Sequence, residues 1–381
     1  MNRKLKMGMI GGGQGAFIGG VHRIAAQLDG LIELHCGAFS SNPENSKITA
    51  KSLFLEDHKA YDTFEEMIIQ ESQLPEGEKM DFVSIVTPNF AHFKPALMAL
   101  EYGFHVVIDK PITLTLEEAK QLHKKVKETG LLLCLTHTYA GYPMVEQAKH
   151  LIEQGKLGQI RKIIVEYPQG WLSSAINNKQ ANWRTDSSKS GISGCMGDIG
   201  THAAHLAEYI SGLEITKICA DINIVVPNRE LDDDGNVLLK FNNGANGVLI
   251  ASQIAAGEEN ALSIRVYGEL GGLEWHQMEP NSLILKWSDA PSQVYRTGMP
   301  YNCEKSKLNS RTPAGHPEGY IEAFANIYRN FSVSLNNYLD YPNNERVNNF
   351  PSIEEGLRGM AFIENVIASG KSSEKWYNFK I

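Results

Sequence analysis

Leu5-Lys6-Met7-Gly8-Met9-Ile10-Gly11-Gly12-Gly13-Gln14-Gly15-Ala16 is the stretch that decides the fold. Leu5 to Ile10 reads as a short strand that runs straight into glycines, with a helix after Ala16. Glycines in such a turn let the backbone approach a pyrophosphate, which rests on the amino terminus of the helix. Gly11, Gly13 and Ala16 fit the spacing Gly-x-Gly-x-x-Ala. By itself that pattern is weak, because a tight structural turn has the same glycines. The strand-turn-helix context makes Gly11, Gly13, Gln14, Gly15 and Ala16 the expected dinucleotide contacts. Three extra residues lie before His22, so the residue that packs helix on strand is left open.

Outward from this turn, strands alternate with helical patterns. Further strands are expected at Leu31–Phe39, Asp81–Val86, Phe104–Ile108 and Leu131–Leu135. Phe93–Tyr102 is helical and stops at Gly103. Leu114–Glu128 opens with Thr115 and Glu118, a capping box, and closes at Gly130. This alternation implies a doubly wound, mainly parallel sheet covered on both sides. The grammar changes after residue 136. Helix Pro143–Glu153 leads into strand Ile160–Tyr167, a polar stretch runs from Ser173 to Ser193, and helix Thr201–Ser211 ends at Gly212. Strands Val237–Phe241 and Gly247–Ile254 then flank Asn242-Asn243-Gly244, a hairpin signal. Leu262–Tyr267 and Ser282–Trp287 continue the series. Hairpin-linked strands form an antiparallel sheet. Gly319–Leu335 and Ile353–Ala368 read as closing helices. The expected division is residues 1–136 as a dinucleotide-binding domain and 137–381 as an α+β domain with a large, mostly antiparallel sheet.

At 381 residues the chain exceeds one ordinary core. Its net charge of −8 argues against general nucleic-acid binding, which needs a basic face. No apolar run approaches membrane-spanning length. Five scattered cysteines, with no Cys-x-x-Cys pair, read as reduced thiols in a cytoplasmic protein.

Two segments carry the chemistry. His105-Val106-Val107-Ile108-Asp109-Lys110-Pro111 sets a lysine at the carboxyl end of a buried strand, where parallel sheets bind ligands. Pro111 stiffens the turn. An ammonium there can hold a substrate oxygen, although a lysine at a strand end is often only a solvated charge. Gly197-Asp198-Ile199-Gly200-Thr201-His202 sets a carboxylate and an imidazole four residues apart, on one face of a helix. Asp198 as a simple N-cap is the plain alternative. A carboxylate bonded to one ring nitrogen fixes the tautomer and raises the basicity of the other, as a base acting on an alcohol requires. His205 reads as packed, and no metal-ligand signature accompanies these residues.

Tyr139, Tyr142, Tyr167, Trp171 and Trp183 are rings able to stack on a sugar while polar neighbours read its hydroxyls. Tyr139, Tyr167 and Trp171 are expected at the substrate. Trp183-Arg184 is the best ligand-facing pair and is assigned to the cofactor side. His316 either caps the closing helix or faces the substrate pocket. The second strand ends in Ser40-Ser41-Asn42 rather than in an acid that would read the ribose 2′-hydroxyl. With no cation nearer than Lys47, NAD is favoured and NADP is not excluded.

Taken together, these motifs make the chain resemble the Gfo/Idh/MocA family over nearly its whole length. Gly11–Ala16 is similar to the family's dinucleotide loop. Thr87-Pro88-Asn89 with His92 resembles its Thr-Pro-x-x-x-His turn, Asp109-Lys110-Pro111 its Glu-Lys-Pro motif, and Gly197–His202 its Asp-x-Gly-x-His motif. The resemblance implies a Rossmann domain followed by an α/β domain whose open sheet mediates homodimer or homotetramer formation. It implies catalysis by Lys110 and His202 with Asp198 assisting, and a cofactor side that includes Thr87, Pro88, Asn89, His92 and Asp109. Trp183–His202 and Gly315–Gly319 resemble a subgroup that oxidises glucosides at C3. Asp109 in place of Glu, the longer glycine loop and the missing ribose acid depart from the pattern.

Three functions follow. The first is an NAD(P)-dependent dehydrogenase of a sugar, glycoside or cyclitol. The second is a glycoside hydrolase or lyase that oxidises C3 transiently, with no net NADH. The third is a non-catalytic dinucleotide-binding sensor, disfavoured because Lys110 and His202 are both present.

Overall fold

A computed structural model of the chain describes residues 3–176, 179–341 and 348–381. It contains two compact units: Met1–His137 with Phe324–Leu357, and Thr138–Ala323 with Arg358–Ile381.

In the first unit, strands β1 (Leu5–Gly11), β2 (Ile32–Ala38), β3 (Phe82–Val86), β4 (His105–Ile108) and β5 (Leu133–Leu135) form one sheet in the order β2-β1-β3-β4-β5. All its pairs are parallel. Helices α1 (Phe17–Gln27), α2 (Pro43–Ser52), α3 (Phe64–Ser72), α4 (Phe93–Glu101) and α5 (Leu116–Thr129) connect them. Strands buried on both faces read as unbroken apolar runs, and β3 and β4 are buried at every position. Helix α5 has the expected capping box of Thr115 and Glu118, and Gly130 closes it in the left-handed region. The strand order reverses between β1 and β3, so the ligand crevice belongs at the carboxyl ends of these strands.

The second unit is built on nine strands in the order β13-β12-β11-β10-β6-β9-β8-β7-β14. They are β6 (Lys162–Pro168), β7 (Ile215–Asn223), β8 (Asp234–Phe241), β9 (Asn246–Ser252), β10 (Ser263–Tyr267), β11 (Gly271–His276), β12 (Ser282–Trp287), β13 (Gln293–Arg296) and β14 (Tyr377–Asn378). Among the described residues, β6 and β9 pair parallel and the other pairs are antiparallel. Its helices are α6 (Pro143–Glu153), α7 (Lys179–Arg184), α8 (Ser187–Ser190), α9 (Thr201–Ser211) and α10 (Glu304–Leu308); α11 (Tyr320–Asp340) falls mostly in the first unit and α12 (Ile353–Lys371) mostly in the second. Ile163, Val165, Leu249, Val237 and Leu239 of the sheet share one core with Met144, Val145 and Ala148 of α6 and with Ala203, Leu206 and Ile210 of α9.

Two differences from the sequence reading have clear causes. β7, β11 and β13 are not visible as alternating runs. β7 carries a register shift between Ile215 and Lys217, β11 begins with two glycines, and β13 is short and mostly exposed. The segment 324–357, read as part of the second domain, groups with the first unit. There Phe331 packs edge-on against Phe82 at 5.0 Å, and Leu135 N–H donates to the Pro351 carbonyl at 2.8 Å. An amphipathic pattern predicts the helix but not the sheet that receives its apolar face.

Candidate active site

Gly11, Gly12 and Gly15 adopt φ of +85°, +73° and +77°, a region that costs side-chain-bearing residues strain. A Cβ on Gly19 would stand 2.3 Å from the Cα of Gly12. The close packing of helix on turn therefore falls to Gly19, three residues beyond Ala16. Ala16 is instead the N-cap of α1, and no side chain caps that helix. Its first N–H groups are thus left for an anion. Gly13 N–H donates to the Phe39 carbonyl at 3.0 Å, and Gln14 N–H to Thr49 Oγ1 at 3.1 Å, which braces the turn on α2. No atom lies within 4 Å of a Cβ built on Gly15. A pyrophosphate fits this cradle.

Ser40 Oγ accepts from Asn42 N–H at 3.2 Å, and Asn42 caps α2 by accepting from Glu44 and Asn45 N–H. Ser41 is exposed. Lys47 pairs with Asp62 at 3.0 Å, and Glu44 adds a negative charge in the first turn of α2.

The turns after β3 and β4 are tied together. His92 is buried, with Nδ1 2.8 Å from the Pro111 carbonyl and Nε2 2.7 Å from the Thr87 carbonyl. Burial lowers its pKa, and Asp109 opposes that. Thr87 Oγ1 donates to the Ala91 carbonyl at 3.0 Å, and Asn89 is buried after Pro88. Asp109 Oδ1 accepts from Lys110 N–H and from Thr136 Oγ1, each at 2.9 Å. The Lys110–Pro111 peptide is cis. His92, expected at the cofactor, has both ring nitrogens on backbone carbonyls and braces the turn that carries Lys110. The glycine turn, Thr87–Asn89 and Lys110 all leave the carboxyl edge of the same sheet.

In the second unit Asp198 lies in a π-helical turn, Met196–Gly200, that runs directly into α9. The wider turn alters the simple four-residue facing expected of an α-helix; such turns occur often at functional sites. Asp232 holds the approach to the turn: its carboxylate accepts from Gly194 and Met196 N–H, both at 2.8 Å. Burial raises the Asp232 pKa against those two bonds. A Cβ on Gly200 would stand 2.7 Å from Met196 Sδ, so that thioether would have to shift to admit one. Asp198 Oδ2 accepts from Arg184 Nε at 3.1 Å and from Gln253 Nε2 at 3.0 Å. Arg184 lies over the rings of Trp183 at 4.4 Å and Trp171 at 5.7 Å. Arg184, assigned to the cofactor from sequence, is thus tied to Asp198.

His202 is buried against two tyrosines, with ring centroids 4.8 Å from Tyr139 and 6.3 Å from Tyr167. The two tyrosine hydroxyls bond each other, and Asn260 bonds both, at 3.1 Å to Tyr139 and 2.7 Å to Tyr167. Burial raises the pKa of both phenols, that of Tyr167 strongly. Their hydroxyls are engaged with each other and with Asn260. Tyr142 is buried beside Tyr139 and Trp275. His205 stacks on Tyr209. His316 is exposed, with Nδ1 3.2 Å from the Pro313 carbonyl. Its neighbour Glu318 is the buried group, engaged by Thr312 N–H and Oγ1 and by Arg311 N–H. Gly19, Gln169, Asp232, Gln253 and Asn260 escaped sequence reading; only the Asp232–Asp234 run was conspicuous, and acidic runs are usually solvated.

Residues 5–137 match the oxidoreductase family with an NAD-binding Rossmann fold, and residues 145–274 match the GFO/IDH/MocA C-terminal domain. The chain is 31% identical to the uncharacterized oxidoreductase YfiI of Bacillus subtilis, over 100% of this chain and 98% of that protein. It is 28% identical to a levoglucosan dehydrogenase of Pseudarthrobacter phenanthrenivorans, over 78% of this chain and 79% of that one. Among solved structures, an inositol dehydrogenase homolog from Azotobacter vinelandii, complexed with NADH and myo-inositol, superposes with a TM-score of 0.92 at 30% identity, covering 100% of this chain and 98% of the other. The chain belongs to the Gfo/Idh/MocA family and is an NAD-binding oxidoreductase.

Proposed function

We propose that the protein oxidises a secondary hydroxyl of a sugar, glycoside or cyclitol. Bound NAD⁺ supplies the hydride acceptor. His202 takes the hydroxyl proton, Lys110 donates a hydrogen bond to the oxygen as negative charge develops there, and Asp198 assists His202. The observation that carries this reading is the shared sheet edge: Lys110 leaves the first unit where the glycine turn does. The relatives' inositol and levoglucosan substrates favour a polyhydroxylated ring. The test is NADH formation from a panel of inositols, glucosides and anhydrosugars. Lys110→Ala and His202→Ala are expected to keep NADH binding and to lose about 10²–10⁴-fold in turnover. Full turnover in either variant would refute its role. Aglycone release without NADH accumulation would turn the reading to the redox-neutral hydrolase.

We also propose a homo-oligomer formed on the outer face of the nine-stranded sheet. Cys219, Leu238, Val248 and Ile164 are cross-strand partners in one row on that face, and Leu238 is exposed. An apolar row of this kind calls for cover. Light scattering is expected to show a dimer or tetramer, and Val248→Asp to weaken it. Five free cysteines support a cytoplasmic setting. Among the described residues, no helix is long and apolar enough to cross a membrane.

A further inference from the structure

We infer that Trp171 is a positioning residue that holds both Asp198 and His202, by two separate routes. The inference rests on the catalytic roles proposed for those two residues.

The first route is a chain of hydrogen bonds with one permitted direction. An indole N–H donates and cannot accept. Trp171 Nε1 donates to Gln169 Oε1 at 2.9 Å, so the amide nitrogen of Gln169 faces away from the indole. That nitrogen donates to Asn260 Oδ1 at 2.6 Å, which leaves Asn260 Nδ2 to donate to the Tyr139 hydroxyl oxygen at 3.1 Å. Tyr167 gives its proton to Asn260 Oδ1 at 2.7 Å. The contact between the hydroxyls is then filled by the Tyr139 proton. Tyr139, Tyr167 and Asn260 form a closed ring in which each hydroxyl donates once and accepts once. The oxygen and nitrogen of an amide are told apart by the donors and acceptors they meet. Here a single donor-only group sets every member. Both tyrosine rings then stand fixed as the corner that receives the His202 imidazole.

The second route uses the face of the same indole. The Arg184 guanidinium lies between two indoles, 5.7 Å from the Trp171 ring centroid and 4.4 Å from that of Trp183, and donates to Asp198 at 3.1 Å. A cation held on an aromatic face loses part of its freedom to swing away. Trp171 is only half-buried, so it is exposed enough to be changed without emptying a core.

The routes separate by substitution. Trp171→Phe keeps an aromatic face for Arg184 and removes the N–H that orders the ring. Turnover is expected to fall about tenfold, less than the roughly 10² that a 1 Å misplacement can cost. KM for NAD⁺ should stay unchanged, and the pH profile of kcat/KM should shift. Asn260→Leu opens the same ring without touching Trp171 and should lower turnover alike. Arg184→Met cuts only the second route. Trp171→Leu cuts the first route and removes one of the two faces that hold Arg184, and should lose more than Trp171→Phe. Nitrogen NMR of the imidazoles, with His202 assigned by His202→Gln, should show a His202 signal that broadens or moves in Trp171→Phe. Thermal melting confirms that each variant is folded. A folded Trp171→Phe with wild-type turnover, pH profile and His202 signal overturns the inference, as does a Trp171→Leu no worse than Trp171→Phe. A wild type that oxidises no panel member defeats the proposed function instead, and the NMR comparison still decides the inference.

Discussion

The two units hold their functional groups by different means. In the first, side chains and glycines are fastened to backbone: Gly19 lies against Gly12, His92 reaches two carbonyls, and Asp109 takes the N–H of Lys110. In the second, side chains are fastened to side chains: Asp198 to Arg184 and Gln253, and Tyr139 and Tyr167 to Asn260. Where a backbone contact joins neighbours, as Asp109 does with Lys110, it lies inside a motif. Side-chain fastening joins residues far apart, such as Tyr139 and Asn260, and leaves none.

The largest effect should come from pH, acting on a group of the first unit outside every motif. His22 is fully buried, its Nδ1 bonded to the Tyr328 hydroxyl at 2.7 Å. Burial first of all pulls its pKa down to about 4. The unfolded chain binds a proton here near pH 6.5 and the folded protein does not. Stability is therefore complete above pH 6.5 and is lost as pH falls toward 4, by about 3 kcal/mol. Denaturation in urea at several pH values should show this slope, and His22→Phe should flatten it. An unchanged slope in that variant would assign the effect elsewhere.

Next in size is the brace on Lys110. The neutral His92 ring donates its one N–H to either the Thr87 or the Pro111 carbonyl, so His92→Phe leaves that carbonyl unpaired, at about 1–3 kcal/mol. Turnover should fall together with the melting temperature, because the loosened turn carries Lys110. A variant that melts lower at full turnover would show that the brace serves stability alone.

Gly19→Ala sharpens the contrast further. Its methyl group meets backbone, which cannot rotate aside, so a loss of about 1–3 kcal/mol is expected. NADH affinity should weaken with it, whereas Asn260→Leu in the second unit should leave NADH affinity intact. Fluorescence titration distinguishes the two.

The smallest expected change concerns the cofactor. Ser41 is exposed, Lys47 is paired with Asp62, and Glu44 brings negative charge to the start of α2. A 2′-phosphate dianion finds no free guanidinium among these residues. Ser41→Arg should move the ratio of kcat/KM for NADP⁺ over NAD⁺ up by about tenfold, in the range of a charge-assisted hydrogen bond. No change in that ratio would mean that Ser41 does not face the ribose.

The sequence by itself determined the parallel sheet and its glycine turn, because strand-helix alternation and left-handed turns are local and glycine meets their backbone demands at least cost. It also determined the motifs around Lys110 and His202, whose members sit within a few residues of each other. The tertiary structure alone decided that Gly19 and not Ala16 packs on the turn, and that 324–357 returns to the first unit. It also decided that Asp198 is held by Arg184 and Gln253, and that Tyr139 and Tyr167 close on Asn260 behind His202. These contacts join strands and helices far apart in the chain. Hydrogen-bond geometry selects them only after the sheets have formed, so no spacing in the sequence records them.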